Sequence, residues 1–151
     1  MSKPGRRKGS AGRSTNHLPV VLVVVLLAAA LIVAAKGLLR KPTNPGDPPE
    51  VQLEQALAQK RVIFALFHST TCIPCKEMER VAAEVMPEFK GRVVFVDVDV
   101  YDEANLGLLR RMQIRVIPTT FIFDPTGQSK MFQGVMPRDT LRSELRAALA
   151  R

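Results

Sequence analysis

Two cysteines, Cys72 and Cys75, are the only ones in the chain, and two residues separate them. They follow a continuous apolar run, 62–67, which predicts a short strand buried on both faces. After Lys76, apolar residues recur at helical spacing: Met78, Val81, Ala82, Val85 and Met86. Cys72 therefore falls at or just before a helix N-terminus, where free N–H groups and the helix dipole favour a thiolate. The thiolate is the form of cysteine that attacks disulfides.

Cys75 lies one turn further into the predicted helix. The two sulfurs can close a small disulfide or separate again, and Cys75 can resolve a mixed disulfide formed at Cys72. Pro74 removes one N–H in the first turn, where helices tolerate that loss. This arrangement indicates thiol–disulfide exchange, with no metal and no organic cofactor.

Other interpretations of the cysteines remain open at this point. The pair can be buried without a chemical role, or it can be half of a zinc site. A structural zinc site needs four ligands, and the only other candidates of that kind are His17 and His68. Copper held by Cys72, Cys75 and His68 is a further alternative, based on ligand softness.

The net charge of +8 is unevenly distributed over the 151 residues. Residues 1–17 carry five basic and no acidic residues, whereas residues 50–151 carry 14 basic and 13 acidic ones. The chain has no tryptophan and one tyrosine, so aromatic platforms for nucleic acid are not expected. We predict a basic disordered tail over 1–17 and no nucleic-acid partner.

An uncharged apolar stretch, 18–35, follows the basic tail. As a helix it would be about 27 Å long, close to the thickness of a bilayer core. It predicts a single transmembrane anchor; the alternative is a cleaved signal peptide that releases a secreted form. Five basic residues precede the stretch and three follow it, namely Lys36, Arg40 and Lys41. This excess predicts a single-pass cell-membrane protein with a cytoplasmic N-terminus and an extracytoplasmic domain.

The remaining sequence predicts a proline-rich linker followed by alternating helices and strands. The linker covers 36–49, and Asp47 resembles the cap of a helix reaching about residue 60. Asp97 and Asp99 are interpreted as the end of a strand entering a loop; the alternative is a carboxylate pair for acid–base chemistry or for a metal. The later elements are a strand over 92–100, a helix over 102–112, a hairpin of strands 119–124 and 129–133, and a helix over 137–150. This order is typical of an α/β fold with a mixed sheet.

The strand, the Cys-Ile-Pro-Cys-Lys motif, the helix and a later Val116-Ile117-Pro118-Thr119 segment together resemble the thioredoxin family. The resemblance covers about 50–151, and we predict a thioredoxin-like domain there. It implies a thioredoxin fold, a mixed sheet flanked by helices, here preceded by a single N-terminal transmembrane helix.

The resemblance also implies roles for individual residues. Cys72 would be the nucleophile, Cys75 the resolving cysteine, and the two would form a redox-active disulfide. Pro118 would be cis and pack against the pair, and the backbone of Ile117 would pair with an extended substrate. Gly134 would let the backbone lie close to this surface.

Three departures from the family bear on the chemistry. Thr71 replaces the usual tryptophan before the first cysteine, at the expected substrate-binding surface. Leu66 replaces a buried acid that accepts the proton of the second thiol, and the lysine that partners this acid is absent from the matching region, 94–96. His68 is a candidate replacement as proton relay, because imidazole exchanges protons near neutral pH. The alternative is a loop histidine facing solvent.

The sequence thus predicts a thiol–disulfide oxidoreductase that acts on protein disulfides outside the cytoplasm. Its partners would be protein thiol or disulfide substrates, a redox partner that resets the cysteine pair, and the membrane through 18–35. The alternative is a thioredoxin-fold binding module that holds a polypeptide or a metal without redox turnover.

Overall fold

The computed structural model describes residues 21–28, 44 and 46–151. The chain divides into two units, 1–40 and 41–151. In the first unit, residues 21–28 are helical and exposed. Among the described residues, no helix has the length and apolar character needed to cross a bilayer. The predicted tail, most of the predicted anchor and most of the predicted linker lie outside the described residues.

The second unit consists of a four-stranded sheet with helices on both faces. The strand order is β2-β1-β3-β4; β1 is parallel to β2 and antiparallel to β3, and β3 is antiparallel to β4. In chain order the elements are α1 (Pro49–Ala58), β1 (Val62–His68), α2 (Ile73–Val85), a 3₁₀ turn (Met86–Phe89), β2 (Val93–Asp99), a 3₁₀ turn (Glu103–Asn105), α3 (Leu106–Arg111), β3 (Thr119–Phe123), β4 (Ser129–Gln133) and α4 (Arg138–Leu149). The predicted mixed α/β sheet is therefore confirmed.

Strand β1 is the centre of this sheet, and all seven of its residues are buried. Because side chains alternate along a strand, the apolar run supplies two separate cores. Phe64 and Leu66 pack with residues of α2 and α4, whereas Ala65 and Phe67 pack with residues of α1 and α3. The cysteine pair lies on the face of the sheet that packs against α2, because it is at the start of that helix.

Two predicted helix starts differ from the structure. Pro48, rather than Asp47, is the N-cap of α1, and no side-chain hydrogen bond caps this helix. The Asp47 carboxylate instead accepts a hydrogen bond from the Gln55 side chain at 3.2 Å. In the predicted helix 102–112, the Asp102 carboxylate accepts from Ala104 N–H at 2.9 Å. This local bond favours a 3₁₀ turn, and the α-helix begins only at Leu106.

Candidate active site

Cys72 is the N-cap of α2, as the sequence predicts. Its Sγ accepts a hydrogen bond from the backbone N–H of Cys75 at 3.2 Å. The two cysteines form a disulfide, with 5.2 Å between their Cα atoms. Cys72 is partly exposed, whereas Cys75 is completely buried. The two cysteines therefore differ in how far an incoming molecule can reach them.

A tight turn connects β1 to the cysteine pair. The backbone N–H of Cys72 donates to the carbonyl of Ser69 at 3.3 Å. Ser69 is buried, while Thr71 is exposed, and their hydroxyl oxygens are 3.5 Å apart. The residue that replaces the family tryptophan is thus a small polar group at the surface beside Cys72.

The loop before β3 contains the predicted cis bond, between Ile117 and Pro118. Two hydrogen bonds fix this loop: Thr119 Oγ1 donates to the carbonyl of Val116 at 2.6 Å, and Gly134 N–H donates to the carbonyl of Pro118 at 2.8 Å. Thr119 pairs with Phe67, near the end of β1 that leads to the cysteines. The loop and the disulfide therefore lie at the same end of the sheet.

Gly134 has a different role from the one that the resemblance implied. A Cβ at this position would meet no atom within 4 Å, so close approach of the backbone does not require glycine. The φ angle of +84° is what requires glycine, because residues with a side chain disfavour this left-handed conformation.

His68 is buried, with 6% exposure, so the alternative of a solvent-facing loop histidine is wrong. It is the last residue of β1 and lies between two carboxylates. Its Nδ1 is 2.6 Å from Glu79 Oε1 of α2, and its Nε2 is 2.8 Å from Asp97 Oδ1 of β2. Both are ion-pair distances, although neither contact has the angles of a hydrogen bond. We refer to His68, Glu79 and Asp97 as the His68 cluster.

The His68 cluster extends from the protein interior to solvent. The side chain of His68 is 8% exposed, that of Glu79 40% and that of Asp97 57%. Desolvation raises the pKa of the Asp97 carboxyl; His68 opposes this effect, and the negative charges of Glu79 and Asp99 add to it. Because Asp97 keeps more than half of its side-chain surface in water, solvent screens these interactions at that end.

Sequence reasoning missed Glu79 as a site residue and interpreted Asp97 as the end of a strand entering a loop. Asp97 pairs in register with Leu66, the position where the family carries a buried acid. A carboxylate is therefore present one strand away from the expected place. The signal in the sequence was the alternation of β2, which puts Asp97 on the same face as Val93 and Phe95. Among residues 44 and 46–151, no three His, Cys, Asp or Glu side chains are grouped so that they could hold a metal ion.

Residues 49–149 match the family model described as a thioredoxin-like domain. The chain is 33% identical over 97 residues to the chloroplastic thioredoxin-like protein CITRX of Oryza sativa subsp. indica, covering 61% of this chain and 50% of CITRX. It is 29% identical over 93 residues to a thioredoxin of Mycolicibacterium smegmatis, covering 62% of this chain and 83% of that protein. The matched part of the chain thus spans half the length of CITRX.

A match of a different kind is the thiol:disulfide interchange protein DsbD of Klebsiella pneumoniae. The identity is 31% over 85 residues, which cover 52% of this chain and 14% of DsbD. Among solved structures, chloroplastic thioredoxin z is similar with a TM-score of 0.58 and 28% identity, covering 67% of this chain and 90% of thioredoxin z. The family model covers two thirds of the sequence. The cysteine motif, the cis-proline loop and the mixed sheet are also all present. The chain therefore belongs to the thioredoxin-like family.

Proposed function

We propose that this protein is a thiol–disulfide oxidoreductase that acts on disulfides of other proteins. The observation that carries the proposal is the unequal burial of the two cysteines. Cys72 is partly exposed at the start of α2, whereas Cys75 is completely buried one turn further on. An exposed nucleophile beside a buried second thiol suits a reaction in two steps. Relatives named thioredoxin and thiol:disulfide interchange protein support this assignment.

In the reducing direction, the Cys72 thiolate attacks one sulfur of a substrate disulfide. A new S–S bond joins Cys72 to the substrate, and the other substrate sulfur leaves as a thiolate. Cys75 then loses its proton and attacks Cys72 Sγ, which releases the second substrate thiolate and forms the Cys72–Cys75 disulfide. Two electrons pass from the cysteine pair to the substrate, and a partner must return them before the next cycle. The oxidising direction is the same sequence in reverse.

The substrate would bind across the surface around Cys72. Ile73, with 83% exposure, and Val116, with 50%, present apolar side chains next to the disulfide and the cis-proline loop. Thr71 leaves this surface less bulky than a tryptophan would. Ile117 lies two residues before Thr119, the first paired residue of β3, and its backbone would pair with an extended substrate segment beside Pro118.

Trapping of a mixed disulfide tests this proposal. Cys75→Ser removes the resolving thiol, so Cys72 should remain bound to its substrates, which would appear on non-reducing gels and disappear on reduction. The matched control is Cys72→Ser, which keeps one thiol but lacks the nucleophile and should trap nothing.

Equal trapping by both variants, or by neither, would contradict the proposal. A Cys72→Ser/Cys75→Ser protein that keeps its biological function would favour the alternative, a thioredoxin-fold binding module for a polypeptide.

The proposed place of action is outside the cytoplasm, with the chain attached to the cell membrane through residues 18–35. The support comes from the sequence: an uncharged apolar stretch of bilayer length and more basic residues before it than after it. The full chain should stay with membranes after an alkaline wash, and protease added outside intact cells should digest 50–151. Recovery of the chain in the cytosol, or full protection of the domain from external protease, would overturn this part.

A further inference from the structure

An open groove lies next to the cis-proline loop, at the end of α3 from which the chain enters that loop. Its volume is about 340 Å³, and it is lined by Leu106, Leu109, Arg110, Gln113, Ile114 and Arg115. The three aliphatic side chains form an apolar part, and none of the six lining residues is acidic. The groove therefore combines apolar surface with two positive charges.

The end of α3 brings the two charges together. Ile114 N–H donates a hydrogen bond to the carbonyl of Leu109 at 3.0 Å. Gln113 N–H donates to the carbonyl of Arg110 at 3.2 Å, and Gln113 itself has a left-handed φ of 54°. These bonds form a Schellman motif, which turns the chain away from the helix axis. As a result, Arg110 before the turn and Arg115 after it line the same groove.

The charges of this groove are not neutralised within the fold. Arg110 and Arg115 are exposed, and neither forms an ion pair with any residue that the structure describes. The neighbouring Arg111 differs, because its Nη1 lies 3.1 Å from Glu50 Oε1 and 3.0 Å from Glu54 Oε1 of α1. The groove thus offers two guanidinium groups to a carboxylate from outside.

The groove continues into the surface that is proposed to bind the substrate, so this inference rests on the proposed function. Arg115 is two residues before Ile117, and their Cα atoms can be at most about 7 Å apart. Val116, between them, is 50% exposed, and its carbonyl accepts a hydrogen bond from Thr119 Oγ1 at 2.6 Å. A polypeptide that pairs with the backbone of Ile117 would therefore place residues near its own cysteine in the groove.

We propose that this groove selects substrate polypeptides with acidic and apolar side chains close to the reactive cysteine. Carboxylates of the substrate pair with Arg110 and Arg115, and an apolar side chain packs on the aliphatic part of the groove. Arginine suits this role, because its planar guanidinium can bind a carboxylate through two parallel hydrogen bonds. Both pairs are exposed, so each contributes modestly and is weakened by salt.

Two peptides of equal length test this selection with the reduced full chain. In each, the single cysteine forms a mixed disulfide with an aromatic thiol whose free thiolate absorbs visible light. One peptide has a leucine and two glutamates on each side of the cysteine, and the other has glutamines in place of the glutamates. Attack of Cys72 on the peptide sulfur releases the coloured thiolate. At low ionic strength the glutamate peptide should react about tenfold faster, and this ratio of rate constants should approach one in 1 M salt.

Variants locate the origin of the ratio. Arg110→Gln and Arg115→Gln should each lower it by about threefold, as expected for one exposed ion pair. The matched control is Arg111→Gln, which removes the same charge from the same helix but lies outside the groove. It should keep the ratio of the parent protein.

Equal rate constants for the two peptides in the parent protein would overturn the inference, and so would an equal loss in Arg111→Gln. Self-association in sedimentation experiments that Arg110→Gln abolishes and Arg111→Gln keeps would assign the groove to a second copy of the chain, and would also overturn it. Failure of the parent protein to release the coloured thiolate from either peptide would instead count against the proposed function itself.

Discussion

The backbone N–H of Cys75 lies 3.2 Å from Cys72 Sγ and donates a hydrogen bond to it. The residue that would resolve the mixed disulfide therefore also stabilises the sulfur that would attack. Negative charge on Cys72 is favoured twice, by this bond and by the N-terminal end of α2. Cys75, in contrast, is completely buried and lies inside the first turn of α2, not at its N-cap.

This difference predicts selective alkylation. In the reduced protein at pH 7, iodoacetamide should modify Cys72 faster than Cys75 by at least about tenfold, since the thiolate is the reactive form. Mass spectrometry of peptides at timed intervals measures both rates. In denaturant the two rates should become similar, because the helix and the burial are lost. Comparable rates in the folded protein would contradict the prediction.

Because the centre of β1 is buried, a cavity made there should strongly lower the free energy of unfolding. Leu66 is completely buried between β2 and β3 and faces the core of α2 and α4. Leu66→Ala should lower the free energy of unfolding by about 2–5 kcal/mol. Leu106→Ala makes the same chemical change at a side chain that is 45% exposed, and should cost less than about 1 kcal/mol. Urea denaturation of both variants measures the two free energies of unfolding. Equal losses would contradict the prediction that packing of Leu66 stabilises the core.

Two glycines should respond in opposite directions to the same substitution. Gly134 has φ +84°, so Gly134→Ala should destabilise the protein by about 1–2 kcal/mol. Gly107 belongs to α3, and a Cβ there would make only ordinary contact with Glu50 at 3.9 Å. Gly107→Ala should stabilise the protein by up to about 1 kcal/mol. Thermal or urea unfolding gives both values, and a stabilising Gly134→Ala would refute the backbone argument.

Asp124 predicts a pH-dependent contribution to stability. Its carboxylate accepts from the Thr126 hydroxyl at 2.6 Å, from the backbone N–H of Thr126 and Gln128, and from Arg151. These bonds, the Thr126 hydroxyl first, lower the pKa of Asp124 below its usual value. A lowered folded-state pKa stabilises the fold above the unfolded value of about 4, and this stabilisation is lost as pH falls through the folded value.

Asp124→Asn should therefore destabilise the protein at pH 7, and the difference from the parent protein should shrink as pH falls below about 4. Unfolding curves at pH 7, 5 and 3 measure this trend. Glu77→Gln, at an exposed position, should show no such trend. A difference that stays constant with pH would mean that the ionised carboxylate contributes nothing.

The sequence predicted those parts of the fold that depend on local pattern. The apolar run 62–67 indicated a buried strand, and the change to helical spacing after Lys76 located the start of α2. The cis bond before Pro118 followed from resemblance and not from Ile117-Pro118 itself. The His68 cluster was hidden because its members are 11 and 18 residues apart in sequence. Glu79 meets His68 through the packing of α2 beside β1, and Asp97 meets it through the register of β1 with β2. No local pattern specifies that register.

Sequence reasoning also failed where a short-range polar bond competed with the helix pattern. The residues after Asp102 have the apolar spacing of a helix. The Asp102 side chain nevertheless accepts a hydrogen bond from Ala104 N–H, and this bond holds the segment in a 3₁₀ turn. Asp47 had the right spacing for a cap, but it lies one residue too early, because Pro48 occupies the N-cap. The first case depends on a single hydrogen bond and the second on the exact position of the N-cap, and residue type alone determines neither.

The disulfide joins two residues within the first turn of one helix, and the chain has no third cysteine. Reducing the disulfide adds almost no conformational freedom to the chain, because the loop that the disulfide closes is very small. It also has no competing partner within the same molecule, so a newly made chain cannot acquire a scrambled crosslink. The topology of the sheet therefore does not depend on which oxidation state the pair is in, and repeated cycles leave it unchanged.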